Sequence, residues 1–318
     1  MTGDRPHFIL IFLDGVGLGS IQPANPLAAA AHTPFLTSLL GHSLTVGLNV
    51  MQPQLVAQPI DACLGVPGLP QSATGQTTLY TGQNAAQFRG QHQTGFANGS
   101  LRHLIAAHGL FKQVMAHGGT ATLANLYSPA YFEEIAQRRI RYAVGTLLNL
   151  TAGLPFRMQS EYEQGEAIFW DITGEHARFR GIAAPPITPQ EAGRRLAQLG
   201  RRYTFTLFEC FAPDYVGHQQ DWSAAITVLQ RIDRFVENLV ENLAANVTIV
   251  ITSDHGNIED LSTKRHTFNP VPLIVVGPQA INFAAATDLT SIAPTLLNAC
   301  HCEDERQTIH RKQSRLRK

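Results

Sequence analysis

Long apolar runs are missing from this 318-residue chain. No stretch approaches the roughly 20 apolar residues that cross a bilayer, so the reading excludes a membrane-spanning helix and a membrane partner. The N-terminal run 8-FILIFL-13 ends on Asp14, too short and wrongly flanked for a secretory signal, which points to a cytoplasmic protein. Charge is scarce too: 15% of residues are charged, and 24 Lys+Arg balance 24 Asp+Glu. No global field therefore steers the chain toward nucleic acid. The run 303-EDERQTIHRKQSRLRK-318 turns basic at its end but has almost no apolar residues, and reads as a frayed tail. Cysteine is sparse, and Cys63, Cys210, Cys300 and Cys302 show no C-x-x-C spacing. The Cys-His-Cys at 300–302 cannot easily converge on one tetrahedral ion, so free thiols are expected.

What the chain does have is apolar content, 44% of residues, enough for one large domain with or without an insertion. Short apolar runs at 7–14, 119–127, 203–210, 246–254 and 271–277 read as strands. They are nearly continuous rather than alternating, as in a parallel sheet covered on both faces. Helical patterns lie between them. In 223–246 the residues Leu229, Ile232, Val236, Leu239 and Leu243 step by threes and fours behind a Ser223 cap. The segment 188–200 opens with Thr188, Pro189 and Glu191 and stops at Gly200. Further helices are expected over 100–119 and 290–300. Strands alternating with helices give a doubly wound α/β sheet. The Gly-, Pro- and aromatic-rich stretch 146–187 breaks this rhythm and reads as a small insertion or cap. The core is then 1–145 with 188–302, and the tail 303–318.

The turn 14-DGVGLGS-20 does not complete a dinucleotide fingerprint, since Ser20 stands at the third glycine and Asp14 would repel a pyrophosphate. Ligands of open α/β sheets bind beyond the carboxyl ends of strands. The first strand ends there on Asp14, the fourth leads to Asp214 and His218, and the fifth ends on Asp254 and His255. His266 stands just before the last. Singly, each has an ordinary role open to it: a helix cap for Asp14, a turn cap after Pro213 for Asp214, a satisfied ring for His218 or His266. Gathered at one edge, so many acids need a counter-ion. Carboxylates with imidazoles suit Mn²⁺ or Zn²⁺, with Mg²⁺ also compatible, and six ligands suit two divalent metal ions better than one. Paired ions of this kind serve phosphoryl transfer and need a nucleophile. The segment 71-QSATGQTTLYTG-82 offers hydroxyls at a loop-to-helix junction, where a helix N-terminus favours a phosphoryl group.

With these pieces in place the chain resembles the alkaline phosphatase superfamily. It is most similar to the branch of cofactor-independent phosphoglycerate mutase and phosphopentomutase, through 14-DGVGLG-19, 72-SATGQ-76, 214-DYVGH-218, 254-DHGN-257 and 266-HTFNPVP-272. The resemblance implies a three-layer α/β/α sandwich with a mostly parallel central sheet. It implies one metal on Asp214, His218 and His266, and another on Asp14, Asp254 and His255, joined by the oxygen of Ser72 as nucleophile and ligand. Thr74 is the second candidate nucleophile, with Thr77, Thr78 and Thr81 on the following helix. Gln76 stands where the mutases carry His, and the span from Ser72 to Asp214 has no room for the mutases' large second domain. A small insertion excludes water poorly, which favours hydrolysis of a small phosphate ester over mutase activity. A metal-binding module without catalysis is the alternative of another class. Arg157, Arg178, Arg180, Lys264 and Arg265 are candidate substrate contacts. No C/S-x-P-x-R context follows Ser72, so a sulfatase is not expected.

Overall fold

Strand β1 (His7–Leu13) runs through the middle of the computed structural model, which describes residues 5–300 apart from the side chain of Arg180. The tail 303–318 and Cys302 lie outside the described residues. Successive side chains of β1 serve opposite cores: Phe8, Leu10 and Phe12 pack on one face, Ile9, Ile11 and Leu13 on the other. That is the period of two expected of a strand, with both faces covered.

Parallel neighbours β5 (Phe205–Cys210) and β6 (Val247–Thr252) flank β1, and β4 (Ala121–Leu123) pairs in parallel beyond β5. On the other side come β7 (Val271–Val276), β3 (Leu55–Ile60) and β2 (Val50–Gln52), each antiparallel to its neighbour. The order is β2-β3-β7-β6-β1-β5-β4, a mixed sheet between two helical layers, with five of its seven strands pointing one way. The run 271–277 is thus buried as expected but reversed. A parallel return needs a crossover, and the β6–β7 connection contains no helix. Strand β3 escapes prediction because Gln58 and Pro59 interrupt its apolar pattern, and β2 because it is only three residues long.

On the Ile9 face the helix Pro189–Arg202 packs against the helix Trp222–Glu241. The first opens as expected, with Thr188 Oγ1 accepting from Glu191 N–H at 3.1 Å. Gly200 is not a stop but lies inside that helix, where a Cβ would run into the Ile9 side chain. The second helix is capped by Asp221 rather than Ser223, through a 3.0 Å bond from Ala224 N–H. The expected helix over 100–119 is broken at Gly109 into Gly99–His108 and Leu110–Ala116.

Within 146–187, the first residues continue a helix (Val144–Thr151) that packs into the core on the Phe8 face. Beyond it, Tyr162, Phe169 and Ile182 form a small separate core with Leu126.

Asp233, buried in the middle of the long helix, accepts from the N–H groups of Phe35 (2.9 Å) and Leu36 (2.8 Å) at the start of the helix Pro34–Leu40. Its carboxylate thus satisfies two donors that a helix N-terminus leaves free. Asp233→Ala is expected to lower unfolding free energy by about 1–3 kcal/mol in urea titrations, with metal binding unchanged.

Candidate metal centre

The carboxyl ends of β5, β1 and β6 lie side by side, and each hands its next residues to one cavity. Asp14 follows β1 directly, and its N–H donates to Cys210 O at 2.9 Å, tying the ends of β1 and β5 together. Asp214 and His218 sit one turn apart on the helix Ala212–Gln219, so they share a face. Asp254 and His255 follow β6, and His266 comes from the same connection, which folds back on itself where Thr267 N–H donates to Gly256 O at 3.0 Å. Opposite stands Ser72, the first residue of the helix Ser72–Thr81.

The structure brings all seven predicted residues to this one place. His255 Nε2 lies 2.9 Å from Ser72 Oγ, 3.4 Å from Asp14 Oδ1 and 3.6 Å from Asp254 Oδ2. Its ring stacks on His266, with centroids 3.6 Å apart. Asp214 meets His266 Nε2 at 3.7 Å through Oδ1 and His218 Nε2 at 3.2 Å through Oδ2. Two trios converge most tightly: Asp14, Asp254 and His255, and Asp214, His255 and His266, with ligand atoms within 4.8 Å of one another. His255 therefore stands between the groups, while His218 holds the more exposed flank.

The helix that carries Ser72 distinguishes its hydroxyls. Thr77, Thr78 and Thr81 each donate to the carbonyl four residues back, at 2.6–2.8 Å. Thr74 donates to Gln71 O at 3.1 Å and accepts from Gln93 N–H. Ser72 alone of these meets the cluster, at His255 Nε2. Gln76 donates to Asp254 Oδ2 at 3.0 Å, so it orients a candidate ligand.

Electrostatically the cluster is unfavourable by itself. Burial, reinforced by the charges of Asp254 and Asp214, holds the Asp14 carboxyl well above the usual carboxylate range. Burial pushes Asp254 up to about 6 against the lowering effect of the Gln76 bond. Burial, then the neighbouring His266, pulls His255 down to about 3. Asp14 Oδ1, Asp214 Oδ1 and Asp254 Oδ1 are buried without a hydrogen-bond partner. The Nδ1–H groups of His266 and His218 donate to Pro70 O (2.9 Å) and Lys264 O (2.7 Å). Each ring thereby turns its Nε2 toward an oxygen of Asp214. Divalent cations resolve every one of these conflicts, and the donor set of carboxylates and imidazoles suits them.

Two buried acids nearby went unread in the sequence. Glu259 accepts from Gly17 N–H (2.9 Å), Asn257 N–H (2.8 Å), Asn269 Nδ2 (3.0 Å) and the Thr267 hydroxyl. It braces the loops after β1 and β6 against the His266 segment, and a Cβ on Gly17 would collide with its carboxylate. That contact accounts for the glycine in 14-DGVGLG-19 without any nucleotide. Glu209 is buried on β5 and accepts from Tyr80 OH at 2.7 Å. Burial pushes it up to about 7, against the lowering Tyr80 bond and with the Asp254 charge adding. A Glu inside the apolar run 203-YTFTLFEC-210 was its one visible signal. Arg157, conversely, is no substrate contact: it bonds Thr122 Oγ1 at 3.0 Å and faces Glu166 at 3.5 Å in another part of the fold. Lys264 and Arg265 are exposed, and Arg178 lies over the Phe179 ring.

Glu259→Gln weakens charge-assisted bonds to three loops at once, and is expected to reduce metal affinity about 10–100-fold by calorimetric titration, with the fold retained. Glu209 gives a pH signature. Its folded value of about 7 exceeds the ordinary 4.5, so the folded protein keeps a proton that the unfolded chain sheds. Stability should fall as pH rises from 4.5 through about 7. With metal chelated, Glu209→Gln should raise the melting temperature at alkaline pH and lose that advantage below pH 4.5. An advantage independent of pH would contradict this.

Comparison with known proteins agrees with the geometry. Residues 188–304 match the Metalloenzyme superfamily. A 2,3-bisphosphoglycerate-independent phosphoglycerate mutase of Halobacterium salinarum is 43% identical over 95 residues, 27% of this chain and 19% of the mutase. The match thus spans about a fifth of that relative's length. Among solved structures, the PH0037 protein of Pyrococcus horikoshii aligns with a TM-score of 0.56 at 14% identity, over 93% of this chain and 97% of that one. Alkaline phosphatase from the Antarctic bacterium TAB5 aligns with a TM-score of 0.51 at 14% identity, over 93% and 99%. Residues 188–304 are thus similar to the Metalloenzyme superfamily, and the chain shares the α/β fold of the alkaline phosphatase from TAB5.

Proposed function

We propose that this protein is a two-metal phosphoryl-transfer enzyme that works through a phosphoserine at Ser72 and hydrolyses phosphate monoesters. The observation that carries the reading is the placement of the Ser72 hydroxyl, 2.9 Å from His255 Nε2 and facing the unpartnered carboxylates. An open cavity of about 500 Å³ lies over it, lined by Asp14, Ser72, Gln76, Asp214 and His218. Asp14, Asp254 and His255 would hold one ion, and Asp214, His218 and His266 the other, with Ser72 contributing its oxygen. Bound Mn²⁺ or Zn²⁺ would lower the proton affinity of the hydroxyl and offset charge on the phosphoryl oxygens.

The chain's own part is positional. Ser72 occupies the first turn of a ten-residue helix, whose free N–H groups and dipole favour an anionic phosphoryl group beside the nucleophile. Gln76 fixes Asp254, and the carbonyls of Pro70 and Lys264 fix the two outer imidazoles. Ser72 Oγ bonds to phosphorus as the bond to the alcohol breaks and the alcohol leaves with a proton. Water then releases inorganic phosphate and restores the hydroxyl.

A mutase remains the second reading, favoured by the name of the Halobacterium relative. The two diverge in the fate of the phosphoserine. Metal-loaded protein is incubated with phosphate esters, phosphoglycerate among them, while released phosphate and the Ser72 peptide mass are followed. Steady phosphate release with transient modification of Ser72 is expected. Stable modification with little free phosphate and an isomerised product would favour the mutase. Ser72→Ala is expected to lower turnover at least about a thousandfold while metals still bind. Unchanged turnover, or modification of another residue, would refute the assignment.

A further inference from the structure

The cavity over Ser72 does not end at the metal centre. Beside it lies a second chamber of about 490 Å³, and the two share Phe96, Ala143, Phe211 and Tyr215 as common walls. The shared rings are the passage from the reacting phosphorus to whatever the phosphoryl group is attached to. Resting on the phosphoryl-transfer reading above, we propose that this chamber holds the alcohol part of the substrate. That part is a flat, largely apolar ring system rather than a small polyanionic chain.

The lining supports this by what it contains. Tyr127, Tyr131, Trp170, Phe179 and Tyr215 bring aromatic rings to one space. The hydroxyls of Tyr127 and Tyr131 converge on Thr146 Oγ1, at 2.8 and 3.3 Å, so these side chains have already used polar capacity within the protein. Phe96, Phe179 and Tyr215 are large apolar side chains left exposed, and all three gather at this chamber. Solvated rings concentrated at one concave place mark a ligand site. Ring faces recognise planar ligands by stacking and are indifferent to carboxylates.

Charge supports it as well. Among the described residues lining the two cavities, Arg141 is the single Lys or Arg, and Glu134 stands in the same chamber. A ligand with a carboxylate besides its phosphate is ordinarily gripped by several guanidinium or ammonium groups. The metal centre answers for the phosphoryl charge alone. The volume also falls within the range of roughly 300–1,000 Å³ that accommodates ligands of drug size.

The test compares naphthylmethyl phosphate with glycerol phosphate and phosphoglycerate on the metal-loaded full chain. Naphthylmethanol is an aliphatic alcohol like glycerol, so leaving-group acidity does not make the difference. We expect kcat/KM at least about tenfold higher for the ring ester. Trp170→Ala should raise its KM about tenfold, and raise the KM for glycerol phosphate by less. Phe179→Ala, on an exposed side chain, should act in the same direction without endangering the fold. Calorimetry with naphthylmethanol itself reads the chamber without chemistry, and both variants should weaken that binding. Equal or better turnover of phosphoglycerate, with no naphthylmethanol binding, overturns the ring-alcohol assignment and leaves phosphoryl transfer standing. Naphthylmethanol binding lost in the variants, with no phosphate released from any ester, supports the chamber and sinks the phosphoryl-transfer reading instead.

Discussion

Three carboxylates crowded together with too few partners govern this molecule. Asp14 and Asp254 are buried and Asp214 is half-buried, and each keeps one oxygen without a hydrogen-bond partner. A buried like-charge cluster is tolerated only when something opposite in sign completes it. The surrounding architecture consists of devices that hold the carboxylates in place despite the repulsion. Glu259 ties three loops together with four hydrogen bonds, and Gln76 pins Asp254 from the Ser72 helix. The imidazoles of His218 and His266 are held from behind by backbone carbonyls, which aims their Nε2 atoms at the cluster.

The sheet makes this economical in residues. Because β5, β1 and β6 run parallel and adjacent, their ends arrive at the same edge, and a ligand needs to stand only one or a few positions beyond each. The antiparallel return to β7 then keeps the connection 253–270 at that edge instead of sending it across the sheet. This is how His266, far from His255 in register, comes to stack on it. A crossover helix in that place would have removed one imidazole from the centre.

The aromatic chamber adds a different physical regime beside the charged one. A strongly polar site next to ring-lined walls sorts a ligand into two parts, one for cations and one for stacking. The walls rest on all three cores: Tyr127 packs on the core of the Phe8 face, and Trp170 packs both on the core of the Ile9 face and on the small core of Leu126, Tyr162 and Phe169.

The sequence alone determined the pattern that follows from local chemistry. Buried strands show as unbroken apolar runs, and acids or histidines near their ends point to the ligand edge, so Asp14, Asp214, His218, Asp254, His255 and His266 were legible as one set, while Ser72 stood out from its neighbouring hydroxyls only through the family resemblance. What it could not carry depends on partners distant in the chain. The reversal of β7 follows from a connection without a helix. The cap of the long helix is Asp221 rather than Ser223 because only its carboxylate reaches Ala224 N–H. Gly200 looks like a stop until Ile9 is seen against it. Glu259 and Glu209 read as ordinary acids until their donors, contributed by three other segments, are in place. Likewise, which histidine stands between the two acidic groups was decided only when the β6–β7 connection folded back. Residue type and local spacing are properties of neighbours in sequence, whereas burial, hydrogen-bond satisfaction and charge balance belong to neighbours in space.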